Sequence, residues 1–313
     1  METHVHIQKS FHNVFGGCSP VLRVCSGDTI KTSVVDAHGF DRNLREVARR
    51  GNPLTGPFYI EDAEPGDTVA VRIDSLYPNR RHAWSSTVVS HTVVESLFVR
   101  SLPEKEYATW DIDLEAGTLQ LIEPATAVGH MKFQCAPMLG CIGVAPPQGQ
   151  VLSSATSAEH GGNMDYCGVK EGATIYFPVF EPGALLSIGD GHALQGDGEL
   201  CGTGVEGSFD VVFTVHLIKN ISIGWPRGED AQEIFTFGNA RPFFEAVQHA
   251  NTEMIRWLLD GFGLDMVSVS ILMGQCARID VGNVFDPAHT AVCRISKPLI
   301  PGKKGYFFDE QYD

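Results

Sequence analysis

The sequence predicts a mainly β protein of the α+β kind: a β-rich body over residues 1–220, with a smaller α+β portion over 221–313 packed on it. Three observations carry this. Through the first two thirds, apolar and polar residues alternate in segment after segment, the period of a strand with one buried face. Only 19% of the 313 residues are charged, while glycine supplies 33 and proline 17, a balance that favours short strands and turns over long helices. One stretch beyond residue 220 carries a clear helical stripe.

Taken in order, "VLRVCSGDTIKTSVVDA" reads as two extended pieces joined at Ser26-Gly27-Asp28. "AEPGDTVAVRIDSLYP" turns at Pro65-Gly66, then sets Val69, Val71 and Ile73 on one face. The shared Gly-Asp-Thr is the chemistry of a tight turn before a strand rather than a duplication. "PMLGCIGVAPPQG" is apolar and glycine-rich, either a core strand ending at Pro146-Pro147 or a substrate-lining loop. "GATIYFPVFEPGALLSIGDG" is strand, turn, strand. In "SFDVVFTVHLI", Phe209, Val211, Phe213, Val215 and Leu217 share one face. The helix falls in "NARPFFEAVQHANTEMIRWLLDGFG", with Phe243, Phe244, Val247, Met254, Ile255, Leu258 and Leu259 as its apolar stripe and Gly261 and Gly263 as its stop. A second helix is expected near Asp265, and a last strand at "AVCRISKP".

Composition narrows the function classes. At 43% hydrophobic, the chain can bury a sizeable core. The net charge is −15, and no basic run exceeds "NRRH", which argues against nucleic acid as a partner. No apolar run reaches the length of a membrane span, and the start, "METHVHIQKSF", has no signal-peptide core. Eight cysteines without a Cys-x-x-Cys pair argue against a zinc ribbon and fit free thiols in a reducing cytoplasm. Gly202-Thr203-Gly204-Val205-Glu206-Gly207 matches GxGxxG. It lacks the following helix that a dinucleotide site needs, because a strand follows instead.

What remains are acids and histidines on bare backbone. Asp190 and His192 sit two apart between glycines, and in an extended chain residues two apart point the same way. Asp197 and Glu199 repeat the spacing and read as turn or supporting residues. "SAEHGGNMDYC" adds Glu159, His160, Asn163 and Asp165. Mixed histidine and carboxylate ligands suit zinc or a similar divalent ion, whereas carboxylates alone suit calcium. Each residue also has a plainer reading, since Asp and Asn beside Gly are ordinary turn formers.

"NPLTGPFYIEDAEPGD", "PMLGCIGVAP", "HGGNMD" and above all "YFPVFEPGALLSIGDGHALQGDGELCGTGVE" together resemble the acetamidase/formamidase family, colinearly from about residue 20 to 295. The resemblance implies hydrolysis of small aliphatic amides to a carboxylate and ammonia, a sandwich-like β body with a small α+β part, and a homodimer. In that family a basic residue usually precedes His-Gly-Gly-Asn, where this chain has Glu159, and His38 stands where small or polar residues are common. These departures leave the identity of the amide open.

The resulting expectation is a metal-assisted amidase. A divalent ion, zinc first and calcium second, would be held by some of Asp36, His160, Asp190 and His192, and would lower the pKa of bound water. Glu61 or Asp165 would carry the proton that the leaving nitrogen needs. Two rivals stand beside it. One is a calcium-stabilised β-sandwich binding module stacking a ligand on Trp84, Trp110 or Trp225. The other is a metal-independent cysteine amidase.

Overall fold

The computed structural model describes residues 1–301. Two large sheets face each other. The first has nine strands in the order Thr3–Val5, Thr29–Val34, Phe209–Ile218, Thr68–Pro78, Thr174–Pro178, Arg227–Glu229, Glu233–Ala240, His289–Ser296 and Arg278–Val281. The second has eleven; its centre is Leu186–His192, flanked by Met138–Gly143 on one side and by Leu54–Ile60 and Glu206–Gly207 on the other.

The alternation seen in the sequence is what lets the sheets stack. Val69, Val71 and Ile73 from one strand and Phe209, Val211, Phe213 and Val215 from its neighbour are buried in one core. They meet Phe58, Leu139, Ile142 and Ile188 of the second sheet in the same core. Phe58 and Phe213 touch edge to face at 5.5 Å between centroids. Two apolar faces so matched remove water from both, at about 25 cal/mol per Å².

The C-terminal part continues the first sheet. Arg227–Glu229 pairs with Thr174–Pro178 in antiparallel register, Thr174 opposite Glu229. The strand around "AVCRISKP" is His289–Ser296, and helix α2 (Met266–Cys276) starts at Asp265, whose carboxylate accepts from the N–H groups of Val267 and Ser268. Helix α1 (Phe243–Asp260) lies on the outer face of this sheet.

The buried face of α1 follows the expected stripe at Met254, Ile255, Leu258 and Leu259 and departs from it in the first turns. Ala246, Ala250, Glu253, Met254, Trp257 and Leu258 are buried, while Phe244 is 71% exposed. The reason is close approach. A Cβ on Gly238 would stand 2.0 Å from the Ala246 carbonyl oxygen and 2.5 Å from the Ala250 nitrogen, so small residues face the sheet at that crossing, while Met254, Trp257 and Leu258 fill the core beyond it. Glu253 is tolerated inside because Arg227 donates to it at 2.7 Å.

"PMLGCIGVAPPQG" is a core strand rather than a loop: all of Met138–Gly143 is buried. Among the described residues no helix is long and apolar enough to cross a membrane.

Candidate active site

The central strand Leu186–His192 is buried along its whole length and delivers Asp190 and His192 to one end of the second sheet. Met138 lies opposite His192, and Glu206 lies opposite it on the other side. Gly140 is the floor. A Cβ there would stand 2.4 Å from Asp165 Oδ1, 2.8 Å from Asp190 Oδ2 and 3.2 Å from His192 Cε1. Gly204 backs the imidazole, since a Cβ would meet His192 Cγ at 2.6 Å. Glycine at these two positions leaves room for the acids and the ring to converge.

Five carboxylates are buried here: Asp165, Asp190, Glu199, Glu206 and Asp286. Three of them stand on left-handed backbone, with φ of 58° at Asp190 and 48° at Asp165 and Glu199. Such outliers among non-glycine residues are uncommon and gather at functional sites.

Three amides organise the acids. Asn163 Nδ2 donates to Asp165 Oδ2 at 2.9 Å and to Asp286 Oδ2 at 2.6 Å. Asn283 Nδ2 donates to Asp165 Oδ2 at 3.0 Å. Asn52 Nδ2 donates to Asp190 Oδ2 at 3.1 Å and to Asn163 Oδ1 at 2.9 Å. The amides thus occupy the Oδ2 atoms. Asp165 Oδ1, Asp190 Oδ1, Glu206 Oε2 and His192 Nε2 are left buried without a hydrogen-bond partner.

The histidine's tautomer follows from its neighbour. Gln195 Nε2 donates to the Asp165 carbonyl at 2.7 Å, so its Oε1, 2.8 Å from His192 Nδ1, accepts the ring's N–H. Nε2 then faces Glu206 Oε1 at 3.0 Å and Asp190 Oδ1 at 3.5 Å.

Burial raises the pKa of Asp165 and Glu199, with neighbouring acids adding to it. It pushes Glu206 and Asp286 up to about 7. Burial works against a charged His192, yet Glu206 and Asp190 hold its pKa well above the ordinary value. So many buried charges are tolerable only if protons or a cation neutralise them.

Among the described residues, two sets of ligand atoms lie within 4.8 Å of one another: Asp190, His192 and Glu206, and Asp165, His192 and Glu199. Both mix one imidazole with carboxylates, the donor chemistry of zinc and similar divalent ions. The unpartnered oxygens and Nε2 are the atoms such an ion would use, so the residues present fit one. In the first set, Gln195 fixes the ring as an outer partner does for a metal-ligating histidine.

The acids open on a pocket of about 220 Å³, with Asp190, Glu199, Glu206 and Asp286 in its lining. One wall is aromatic. His38 stacks on Trp84 at 3.7 Å between centroids, and Tyr107 meets both rings edge-on at 5.2 Å. Trp84 stands directly across the strand pairing from Glu206, which puts the wall beside the acid.

Of the residues singled out in the sequence, the structure brings together Asp165, Asp190 and His192. Asp36 is separate. It is buried against the Arg80 guanidinium and accepts from Trp84 Nε1 at 3.2 Å, so it steadies the aromatic wall and has its charge already matched. His160 lies against Phe15, 5.0 Å between centroids, outside both ligand sets, and burial lowers its pKa to about 4. Glu61 is at the surface, paired with Arg23 at 2.9 Å. Glu199, read as a turn residue, is instead 5% exposed and one of the acids facing the pocket. Sequence reasoning passed over Glu206, Asp286, Asn52, Asn283 and Gln195. Asp286 and Asn283 come from "GNVFDP", nearly a hundred residues beyond His192, and no local spacing marks them.

The comparisons with known proteins converge. Residues 5–157 and 150–253 match the model of the acetamidase/formamidase family. An acetamidase of Mycolicibacterium smegmatis is 40% identical over 242 residues, covering 61% of this chain and 59% of that one. The chain spans 65% of a Schizosaccharomyces pombe relative, at 24% identity, so it matches less than two thirds of the length of these curated relatives. The crystal structure of an acetamidase from Yersinia enterocolitica superposes with a TM-score of 0.83 at 31% identity, over 96% of this chain and 93% of that one. A candidate acetamidase/formamidase from Thermoanaerobacter tengcongensis gives 0.82 at 27%, over 96% and 97%.

Proposed function

From the premise that the chain belongs to the acetamidase/formamidase family, we propose that it hydrolyses small amides to a carboxylate and ammonia, with a divalent ion held by His192, Asp190 and Glu206. The observation that carries this reading is the buried, unpartnered set of Nε2, Asp190 Oδ1 and Glu206 Oε2 at the floor of the pocket. Zinc is the ion the donor set favours. When bound, it supplies Lewis acidity towards the amide carbonyl and a lowered pKa for coordinated water.

The chain's own groups do the rest. The Asn52, Asn163 and Asn283 amides hold Asp190, Asp165 and Asp286 in fixed orientation, so little reorganisation accompanies the reaction. Ammonia leaves only after its nitrogen is protonated, and the proton carrier must face the substrate. Asp286 lines the pocket and shares Asn163 with Asp165. It is therefore the proton carrier in this account, with Asp165 behind it.

The binding-module alternative gains Trp84 in the pocket wall, whereas Trp225 stacks on His249 and Trp110 packs on Phe133. The cysteine alternative gains nothing. A nucleophilic thiol needs a lowered pKa, and burial raises those of Cys135, Cys141, Cys167 and Cys201.

A homodimer and a cytoplasmic location belong to the same proposal. Exposed Phe244, Val267 and Ile271 on the two helices offer apolar surface for association, and eight free cysteines fit a reducing compartment. Ammonia release from formamide, acetamide and propionamide tests the central point. The wild type releases it, and Glu206→Gln loses at least about a hundredfold. Full turnover in Glu206→Gln removes Glu206 from the site.

A further inference from the structure

The pocket is larger than a small amide requires. Formamide and acetamide have three and four non-hydrogen atoms, on the order of two to three water volumes at about 30 Å³ each, against about 220 Å³ of pocket. The extra space has its own chemistry. Besides the acids, the lining includes Arg50 and Lys105. The Arg50 guanidinium donates to the Tyr107 hydroxyl, and its Cζ stands 5.6 Å from the Tyr107 ring centroid. Lys105 Nζ stands 5.6 Å from the Phe285 ring centroid and reaches the Cys201 carbonyl only at 3.5 Å.

Among the described residues neither cation has a carboxylate partner. Arg80, on the other side of the aromatic wall, is matched by Asp36. In a chain with 38 acidic and 23 basic residues, two unmatched cations lining one pocket are a directed positive charge. Both are braced by aromatic rings rather than left free, which lowers the entropy lost on gripping an anion.

Resting on the amidase reading, we propose that the substrate is an amide whose far end carries a carboxylate: the monoamide of a short dicarboxylic acid. The amide group lies over Asp190, Glu206 and Asp286, and the distal carboxylate lies between Arg50 and Lys105. The acidic floor repels that carboxylate and the cations attract it, so the charges fix which end of the molecule enters. Trp84 and Tyr107 cover the methylene chain between. The product is then a dicarboxylate, and a reaction that forms amides from such acids must supply the substrate.

The test separates the distal contact from the hydrolysis. Binding of glutarate and of pentanoate to the metal-loaded protein is measured by calorimetry; the two differ only in a terminal carboxylate or methyl. The wild type is expected to prefer glutarate roughly tenfold or more. That preference should shrink several-fold in Arg50→Gln and in Lys105→Gln, and with added salt. Equal affinities, or a preference that persists in the double variant, overturn the proposal. Ammonia release from 4-carbamoylbutanoate and from pentanamide completes the test. Release from both at equal kcat/KM keeps the amidase and overturns the distal site. A glutarate preference lost in the variants, with no ammonia from any amide, keeps the anion subsite and overturns the hydrolysis.

Discussion

Gly140, with no side chain of its own, governs the site at the residue scale. Its hydrogen points where a methyl group would collide with Asp165 Oδ1 and Asp190 Oδ2. Gly140→Ala should therefore fold with a modest loss of stability, about 1–3 kcal/mol, while bound metal and turnover fall together. Metal content and ammonia release, read on the same sample, check it; unchanged metal content would show that the acids relax around the methyl. His160 makes a second prediction at this scale. Folding keeps its ring neutral down to about 4, whereas the unfolded chain takes up a proton near 6.5. A depressed histidine pKa means stability is lost as pH falls through that window, by about 3 kcal/mol in all. His160→Phe, which keeps the contact with Phe15, should flatten that part of the pH–stability curve. An unaltered slope between pH 6.5 and 4 would assign the acid sensitivity to other groups.

Among the elements, α1 and the central strand show what sequence pattern reveals and what it hides. Period-two alternation located the strands Thr68–Pro78 and Phe209–Ile218 because each turns its large apolar residues to the core between the sheets, and that writes itself into every second residue. The same logic found Met254, Ile255, Leu258 and Leu259 on the core side of α1 but wrongly put Phe244 with them, because Gly238 lets Ala246 and Ala250 press against the sheet and leaves Phe244 outside. That contact is set by backbone distance, which residue size alone does not report. Gly238→Ala is thus expected to cost about 3 kcal/mol, and Glu253→Gln, which leaves Arg227 buried beside a neutral partner, a similar amount. Chemical denaturation of both variants measures it. The site divides the same way. Asp190 and His192 were legible because they lie two apart on one strand. Glu206 is their neighbour only through strand pairing, and Asp286 only through a distant loop.

Over the whole molecule, the pairing of Thr174–Pro178 with Arg227–Glu229 carries one sheet from the N-terminal strands to the C-terminal ones. Cutting the chain near residue 220 removes those partners, together with α1, and exposes Tyr176 and Ala70, which pack beneath it. A fragment of residues 1–220 should then be far less stable than the full chain, and the full chain should unfold in one cooperative step. Two separated calorimetric transitions would contradict this. The same continuity places Asn283 and Asp286, from beyond α2, against Asn163 and Asp165 of the other sheet. The site is complete only when both parts of the chain are folded.

The most direct measurement is ammonia release from acetamide and formamide before and after exhaustive chelation, with metal content determined on each sample. The account predicts that release disappears with the metal and returns when zinc is restored, and that Asp190→Asn neither binds the ion nor recovers activity. Undiminished release from a preparation verified as metal-free would contradict it.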